Sequence, residues 1–324
     1  MTLVLTRADL VTVLTVEDCL DALREGFRTE RHVPVAGQRA RTDLPFPGTA
    51  TALMPGLLPG VEAYTVKVNA KFPGARPALR GVICLHSGRD GELLALLDSA
   101  TVTAWRTGLA AALGTHALAG PGGTLGVVGA GAQAELVVRG LAALRGTGAP
   151  VVHDTDGERA ARFAARHGGR VVGSAPEVAA AADAVLLATW SRRPLLRRAD
   201  TRPGQHVTSL GADEPGKQEL AADLLKAATL VVDDRELAAD MGALAAAGLP
   251  AAAADVELGE VLRGEHPGRR SADERTVYAP VGLPWQDLAL AWLAYRRADR
   301  DGVGQRVDLL AEGPVDRDRR TSTP

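Results

Sequence analysis

The sequence is poor in cysteine and lysine, close to neutral, and without a long apolar run. Its two cysteines, Cys19 and Cys84, are too few for a disulfide framework and lack metal-ligand spacing. They read as two buried thiols of a cytoplasmic protein. The net charge is −2, and the 37 basic and 39 acidic residues are mixed along the chain. Neither nucleic acid nor a membrane surface is therefore expected as a partner. No apolar run nears the ~20 residues of a membrane span, and no basic stretch followed by a hydrophobic one opens the chain as a secretory signal. The seven histidines show no metal spacing and read as structural or surface groups, so no metal is expected. Lysine is confined to Lys67, Lys71, Lys217 and Lys226. In an arginine-rich chain, a retained lysine is one whose chemistry arginine cannot replace, and this points first to Lys67.

What is present is a globular enzyme's composition, 324 residues with 46% apolar and 23% charged, long enough for two domains. Thr15 with Asp18 opens a helix over 16–29. Strand-like segments follow at 38–44, 51–55, 63–70, 81–87 and 93–98, the last two joined as a hairpin by SGRDGE. An Ala-rich helix over 100–119 carries Arg106, and GPGG (120–123) is a breaker and a domain boundary. From 124 the pattern becomes strand, helix, strand, helix, with strands at 124–129, 150–154, 184–189, 206–210 and 229–233. That alternation predicts a parallel sheet with right-handed crossovers. A strand over 275–280 and a helix over 284–298 close it, the helix returning to the first domain. The Arg/Asp-rich tail, 312–324, reads as disordered. The fold class is α/β: a Rossmann-type domain over 120–284 and an N-terminal α+β substrate domain over 1–119, joined by 285–311.

The phrase TLGVVGAGAQA (124–134) carries the first functional signal. A short apolar strand runs into Gly129 and Gly131, and an Ala/Leu-rich helix follows. Gly129 permits the turn, Gly131 lets backbone approach phosphate, and Ala134 lets helix and strand pack closely. The helix N-terminus supplies unpaired N–H groups. About 20 residues on, a second strand ends in Asp154, placed to accept from the adenosine ribose hydroxyls. A carboxylate there favours NAD over NADP, as does Asp156; Arg159 and Arg162 are near enough in sequence to temper that preference.

Outside this fingerprint stand four features. Arg39 and Arg41 share one face of a predicted strand, as a solvated edge or as anion holders. Lys67, between two valines, is either exposed on an antiparallel face or held in a cleft by an anion. Arg106 has small and apolar neighbours, which calls for a buried partner. Asp213, in SLGADEPGKQEL, follows a parallel strand where catalytic groups collect, although it could equally cap the next helix. Together they place two or three cations and one carboxylate against a nicotinamide. Arginine binds an α-carboxylate bidentately, and a carboxylate beside the α-nitrogen can exchange its proton as amine becomes iminium.

With ALMPG (52–56), VKVNAKFPG (66–74), LLALLDSATVTAWRTGLAAALGTHALA (93–119), GVVGAGAQAE (126–135), GADEPGKQEL (211–220), ELGEVLRGE (257–265) and GLPWQDLALAWLAY (282–295) in this order, the chain resembles the ornithine cyclodeaminase/mu-crystallin family, which includes archaeal-type alanine dehydrogenases. The resemblance implies that Arg41, Lys67 and Arg106 hold the substrate carboxylate and that Lys67 assists proton transfer. It implies that Asp213 is the acid/base. It assigns nucleotide contacts to Gly129, Gly131, Ala132, Gln133 and Asp154, with Thr189 and Ser191 near the cofactor. It also implies a homodimer formed through the N-terminal domain. The chain departs from cyclodeaminases where an acid that holds ornithine's distal amine is here Ala52, where a threonine near the substrate is Cys84, and where an Asp-Ser pair is Ala279-Pro280. RTG at 106–108 is similar to the alanine dehydrogenase and ketimine reductase branches.

The expected activity is hydride transfer between NAD(H) and the α-carbon of a small α-amino or cyclic α-imino acid. A redox-neutral ornithine or lysine cyclodeaminase with recycled NAD is the second reading. A non-catalytic binding protein is the third, and Asp213 with three cations argues against it.

Overall fold

The computed structural model describes residues 1–29, 40–47, 49–72, 74, 75, 77–214 and 216–311. Arg39 and the tail at 312–324 lie outside the described residues.

The first part of the chain runs β1 (Thr2–Leu5), α1 (Arg7–Val13), α2 (Val16–Arg28), β2 (Ala40–Asp43), β3 (Ala50–Gly56), β4 (Ala63–Lys71), β5 (Leu79–Ser87), β6 (Leu93–Asp98) and α3 (Ser99–Leu118). The second continues with β7 (Leu125–Val128), α4 (Ala132–Leu144), β8 (Val151–His153), α5 (Gly157–Arg166), β9 (Arg170–Val171), α6 (Ala175–Ala181) and β10 (Ala184–Leu187). After these come β11 (Arg192–Leu196), β12 (His206–Ser209), β13 (Gln218–Leu220), α7 (Ala222–Leu225), β14 (Thr229–Val232), α8 (Arg235–Met241) and α9 (Ala243–Ala247). The chain ends in β15 (Val256–Glu257), α10 (Leu258–Arg263), β16 (Thr276–Tyr278), α11 (Pro284–Asp301) and β17 (Gln305–Val307).

Among the described residues, one sheet has the order β17-β1-β6-β5-β4-β3-β2, antiparallel except for β1 beside β6. A second has the order β15-β14-β16-β12-β10-β7-β8-β9 and is parallel throughout. The α/β class with a Rossmann-type parallel sheet is what the alternating pattern predicts. The strand expected at 275–280 is β16, which lies inside the sheet between β12 and β14. TVY (276–278) is buried on both faces, which suits an interior parallel strand.

α1, α3 and α11 pack against the first sheet, and α2 packs on α3 and α11. α2 starts on Thr15, whose hydroxyl accepts from the Asp18 amide, and buries Val16, Cys19, Leu20, Leu23 and Phe27 at helical spacing. α3 is apolar nearly all round and lies between the two sheets, as a helix buried on every side must. α11 packs across β3, β4 and β5. Cys19 is buried, which pushes its thiol up to about 12; Cys84 is only half-buried and is raised by the same cause. No helix among the described residues is long and apolar enough to cross a membrane.

The alternation of β4 is inverted. Tyr64, Val66 and Val68 point outward, whereas Thr65, Lys67 and Asn69 are buried on the face that meets the helices. A strand that turns its polar residues inward has something to do there.

A candidate active site in the crevice between the sheets

β7 lies between β8 and β10, so the order of strands reverses at its carboxyl end, where open α/β sheets bind ligands. Gly129 has φ +91°, and a Cβ on it would lie 2.5 Å from the Ala188 carbonyl oxygen. Only glycine lets the ends of β7 and β10 close up in this way. Gly131 caps α4 without a side-chain bond, and a Cβ there would meet nothing within 4 Å. Open space thus faces the unpaired amides of a helix N-terminus, the arrangement that holds an anion. Ala132 and Gln133 form the first turn of that helix, and Ala134 is fully buried beneath it.

Asp154 follows β8. Its Oδ2 accepts from the Ala130 amide at 2.8 Å and its Oδ1 from the Asp156 amide at 2.8 Å. The side chain therefore ties the glycine loop to the next strand and keeps lone pairs for hydroxyl donors. Arg159 stands beside it, 3.7 Å from Asp154 and 3.1 Å from Asp156. Across the crevice, the Thr189 amide and hydroxyl each donate at 2.7 Å to Glu219, and the Ser191 amide donates to the Thr189 hydroxyl at 3.2 Å. Glu219 also accepts from the Ser209 hydroxyl and the Gly211 amide, both at 2.7 Å. One buried carboxylate so clamps the loops after β10 and β12. Burial raises its pKa, opposed by those four bonds. These residues fit a dinucleotide: room before a helix N-terminus, a glycine turn and a ribose-facing acid on one side, a hydroxyl-bearing loop on the other.

The cations fall into three groups. Lys67 Nζ lies 2.5 Å from Asp287 Oδ2, each side chain 1% exposed. Arg106 Nε lies 3.5 Å from Asp287 Oδ1, and its guanidinium donates to Gln286 Oε1 at 3.4 Å. Of the two alternatives open for Lys67, the buried one holds, and the anion comes from α11, 220 residues away in sequence. The second group lies nearer the crevice mouth. Lys217 Nζ is 2.7 Å from Asp213 and 3.1 Å from Glu214, and Lys71 pairs with the same Glu214. Both lysines sit over the Trp190 ring, at 4.5 and 5.5 Å from its centroid. Burial pushes the Glu214 carboxyl up, but Lys71 and Lys217 outweigh it and hold the group below its usual range. Burial likewise pushes Lys217 down, and Asp213 and Glu214 leave it net raised. Asp213 is no helix cap, since the next element is β13 and α7 begins on Ala221.

Arg41 forms the third group. It is half-exposed on β2 and pairs with Asp43 at 2.7 Å. Its register partners, Ala52 and Asn69, put it on the face that carries Lys67, at the sheet's outer margin. The structure thus joins Lys67 with Arg106, groups Asp213 with two further lysines, and leaves Arg41 with Asp43.

The loop before α11 completes the buried group. Asp233, after β14, accepts from the Val281 and Gly282 amides at 2.9 and 2.6 Å. Burial pushes its pKa up to about 6 against those bonds. Gly282 has φ +93°, and a Cβ on it would lie 2.1 Å from Arg106 Nη1. Glycine there makes room for the guanidinium. Among the described residues, no group of three or more His, Cys, Asp or Glu is arranged to hold a metal.

Sequence reasoning passed over Asp287, Glu219, Lys71, Lys217 and Gly282. Asp287 left a trace, as the one acid in the apolar stretch PWQDLALAW. Lysine scarcity left another, since three of the four lysines meet in this crevice.

The ornithine cyclodeaminase/mu-crystallin family model matches residues 1–302. Among solved structures, an archaeal alanine dehydrogenase dimer with bound NAD is 28% identical, with a TM-score of 0.86 over 95% of this chain and 99% of that one. The Δ1-pyrroline-2-carboxylate reductase of Thermococcus litoralis, in complex with NADH and L-proline, is 27% identical, with a TM-score of 0.87 over 94% of this chain and 100% of that one. A lysine cyclodeaminase described as recognising L-lysine, L-ornithine and L-2,4-diaminobutyric acid is 27% identical, with a TM-score of 0.83 over 94% and 95%.

Proposed function

The chain belongs to the ornithine cyclodeaminase/mu-crystallin family, and from that premise we propose that it is an NAD(H)-dependent oxidoreductase acting at the α-carbon of a small α-amino or cyclic α-imino acid. Bound NAD(H) supplies or removes the hydride. The residues of this chain bind, orient and move the proton. Lys67 and Arg106 hold the substrate carboxylate, with Arg41 at the margin. Asp213, partly open to solvent and fixed by Lys217, exchanges the proton of the substrate nitrogen. The glycine loop, Ala132, Gln133 and Asp154 take one side of the dinucleotide, and Thr189 and Ser191 the other.

The observation that carries the choice of reaction is the state of the crevice's carboxylates. Asp287 is matched by Lys67 and Arg106, Glu214 by Lys71 and Lys217, Asp213 by Lys217 and Asp43 by Arg41. Ala52 registers with Arg41 and Asn69, not with an acid. A diamine's second ammonium would have to displace a cation from one of these carboxylates, or hydrogen-bond donors from the buried Glu219 or Asp233. That favours the reductase or dehydrogenase over the cyclodeaminase. The test is to give the purified protein NADH with cyclic imino acids, or NAD with small amino acids, and follow cofactor absorbance. Ornithine or lysine converted to proline or pipecolate with release of ammonia, and with no cofactor change, is the result that overturns the assignment.

Residues 1–119 with 285–311 form the substrate-binding part in this reading, and 120–284 the nucleotide-binding part. The outer face of the first sheet exposes Leu53 and Val68 in register, which supports a homodimer through that face.

A further inference from the structure

Building on that reading, we infer that Asp287 is the positioning residue of the carboxylate site: it holds Lys67 and Arg106 together so that both can meet a single substrate carboxylate.

The geometry is that of one anion between two cations. Lys67 comes from β4, Arg106 from α3 and Asp287 from the first turn of α11, so three elements meet at one buried carboxylate. Asp287 takes Lys67 as a direct hydrogen-bonded pair. It takes Arg106 by charge alone: Arg106 Nε and Asp287 Oδ1, 3.5 Å apart, are both buried without a hydrogen-bond partner. A buried guanidinium N–H with no acceptor is a donor whose partner is still to come. Two further features keep Arg106 in place for that partner. Gln286 accepts from its Nη1, and Gly282 leaves the space that Nη1 fills. Lysine, not arginine, suits position 67, because a compact ammonium can sit hard against one oxygen while the guanidinium spans the other.

A purely structural account is available. An acid in a helix's first turn is favoured by the helix dipole wherever it faces. The two accounts differ in what ligand binding should show. The experiment is calorimetric titration of L-proline and L-alanine into the NADH- and NAD-loaded protein, for wild type, Asp287→Asn, Lys67→Met and the double variant. Asp287→Asn is expected to weaken amino-acid binding about tenfold or more, with NADH affinity by fluorescence within about twofold of wild type. In the Lys67→Met background the same change should cost less than about threefold, because the group it positions is gone. The inference is overturned if Asp287→Asn lowers the melting temperature and leaves amino-acid binding within about twofold, or if the loss is the same in both backgrounds. Should Asp287→Asn alone not fold, Asp287→Glu decides, since it keeps the charge and moves it by one methylene: amino-acid binding weakened several-fold at unchanged NADH affinity is expected, and binding within about twofold overturns the inference. Absence of turnover in a wild type that binds amino acid would count against the reaction, not against Asp287.

Discussion

Two lysines four residues apart on β4 each pair with a carboxylate, at opposite ends of a depth scale. Lys67 and Asp287 are 1% and 1% exposed; Lys71 and Glu214 are 22% and 24% exposed. The first pair joins a strand to a helix in the core. The second joins the strand to a loop at the mouth, beside Asp213 and an exposed Trp190. The chemistry is the same and the consequences differ. A dry pair cannot be broken cheaply, so it holds geometry. A wet pair exchanges with water, so the carboxylates around it can trade protons with solvent. In the proposed reading, the carboxylate-binding task falls to the dry cluster and the proton task to the wet one.

That division is sharpest against Lys67→Met, which takes from Asp287 its hydrogen-bonded cation and leaves it Arg106 at 3.5 Å. Losing the hydrogen-bonded partner of a buried carboxylate costs up to about 3–5 kcal/mol, and urea unfolding should show a loss approaching that together with weakened, still measurable amino-acid binding. If Lys71→Met costs as much, the depth argument is wrong. Asp213→Asn comes next. Removing a positioned acid/base lowers turnover by about 10²–10⁴-fold, while the 42% exposed side chain predicts little change in melting temperature. Steady-state rates at saturating substrate measure it, and unchanged turnover would remove Asp213 from the mechanism.

Acidification tests the comparison from outside both clusters. His206 is fully buried in the parallel sheet, 2.8 Å from the hydroxyls of Thr276 and Thr208. Burial, aided by Arg269 and Arg145, pushes it down to about 3 from 6.5. In the unfolded chain it takes a proton below 6.5, whereas in the fold it does not. The stability contribution is therefore whole above 6.5 and is lost as pH falls toward about 3, at about 1.4 kcal/mol per unit from this group. Asp233, raised to about 6, acts in the opposite sense between its unfolded value near 3.8 and 6. Urea midpoints across this range, compared with His206→Gln, should show a shallower acid limb in the variant.

How much of this was legible depended on distance along the chain. The glycine turn, Asp154 and the parallel sheet are local patterns, and local sequence carries them. Lys67 and Arg106 stood out because charge among apolar neighbours needs a partner. The partner could not be named, because Asp287 lies on a helix whose first turn welcomes an acid for its own reasons. Glu219 was hidden in GADEPGKQEL: its four bonds exist only once two loops are folded against each other. Arg41 was read on a strand face, as a solvated edge or an anion holder, and the fold places it on β2, an edge strand, on the face of Lys67 and paired with Asp43 two residues on.

The smallest effect belongs to the wet pair and is the most informative about depth. Glu214→Gln removes the anion shared by Lys71 and Lys217 and leaves Lys217 to Asp213. A half-exposed pair is worth about 0–1 kcal/mol, so the melting temperature should barely move. The kinetic effect should exceed the thermal one, because Lys217 then turns wholly to Asp213 and makes it a weaker base. Turnover should fall a few-fold. Because the pair is screened by salt, the difference between Glu214→Gln and wild type should shrink from low to high ionic strength, whereas the deficit of Asp287→Asn should persist. Equal salt sensitivity in the two variants would mean that the two clusters share one environment and that depth does not divide their work.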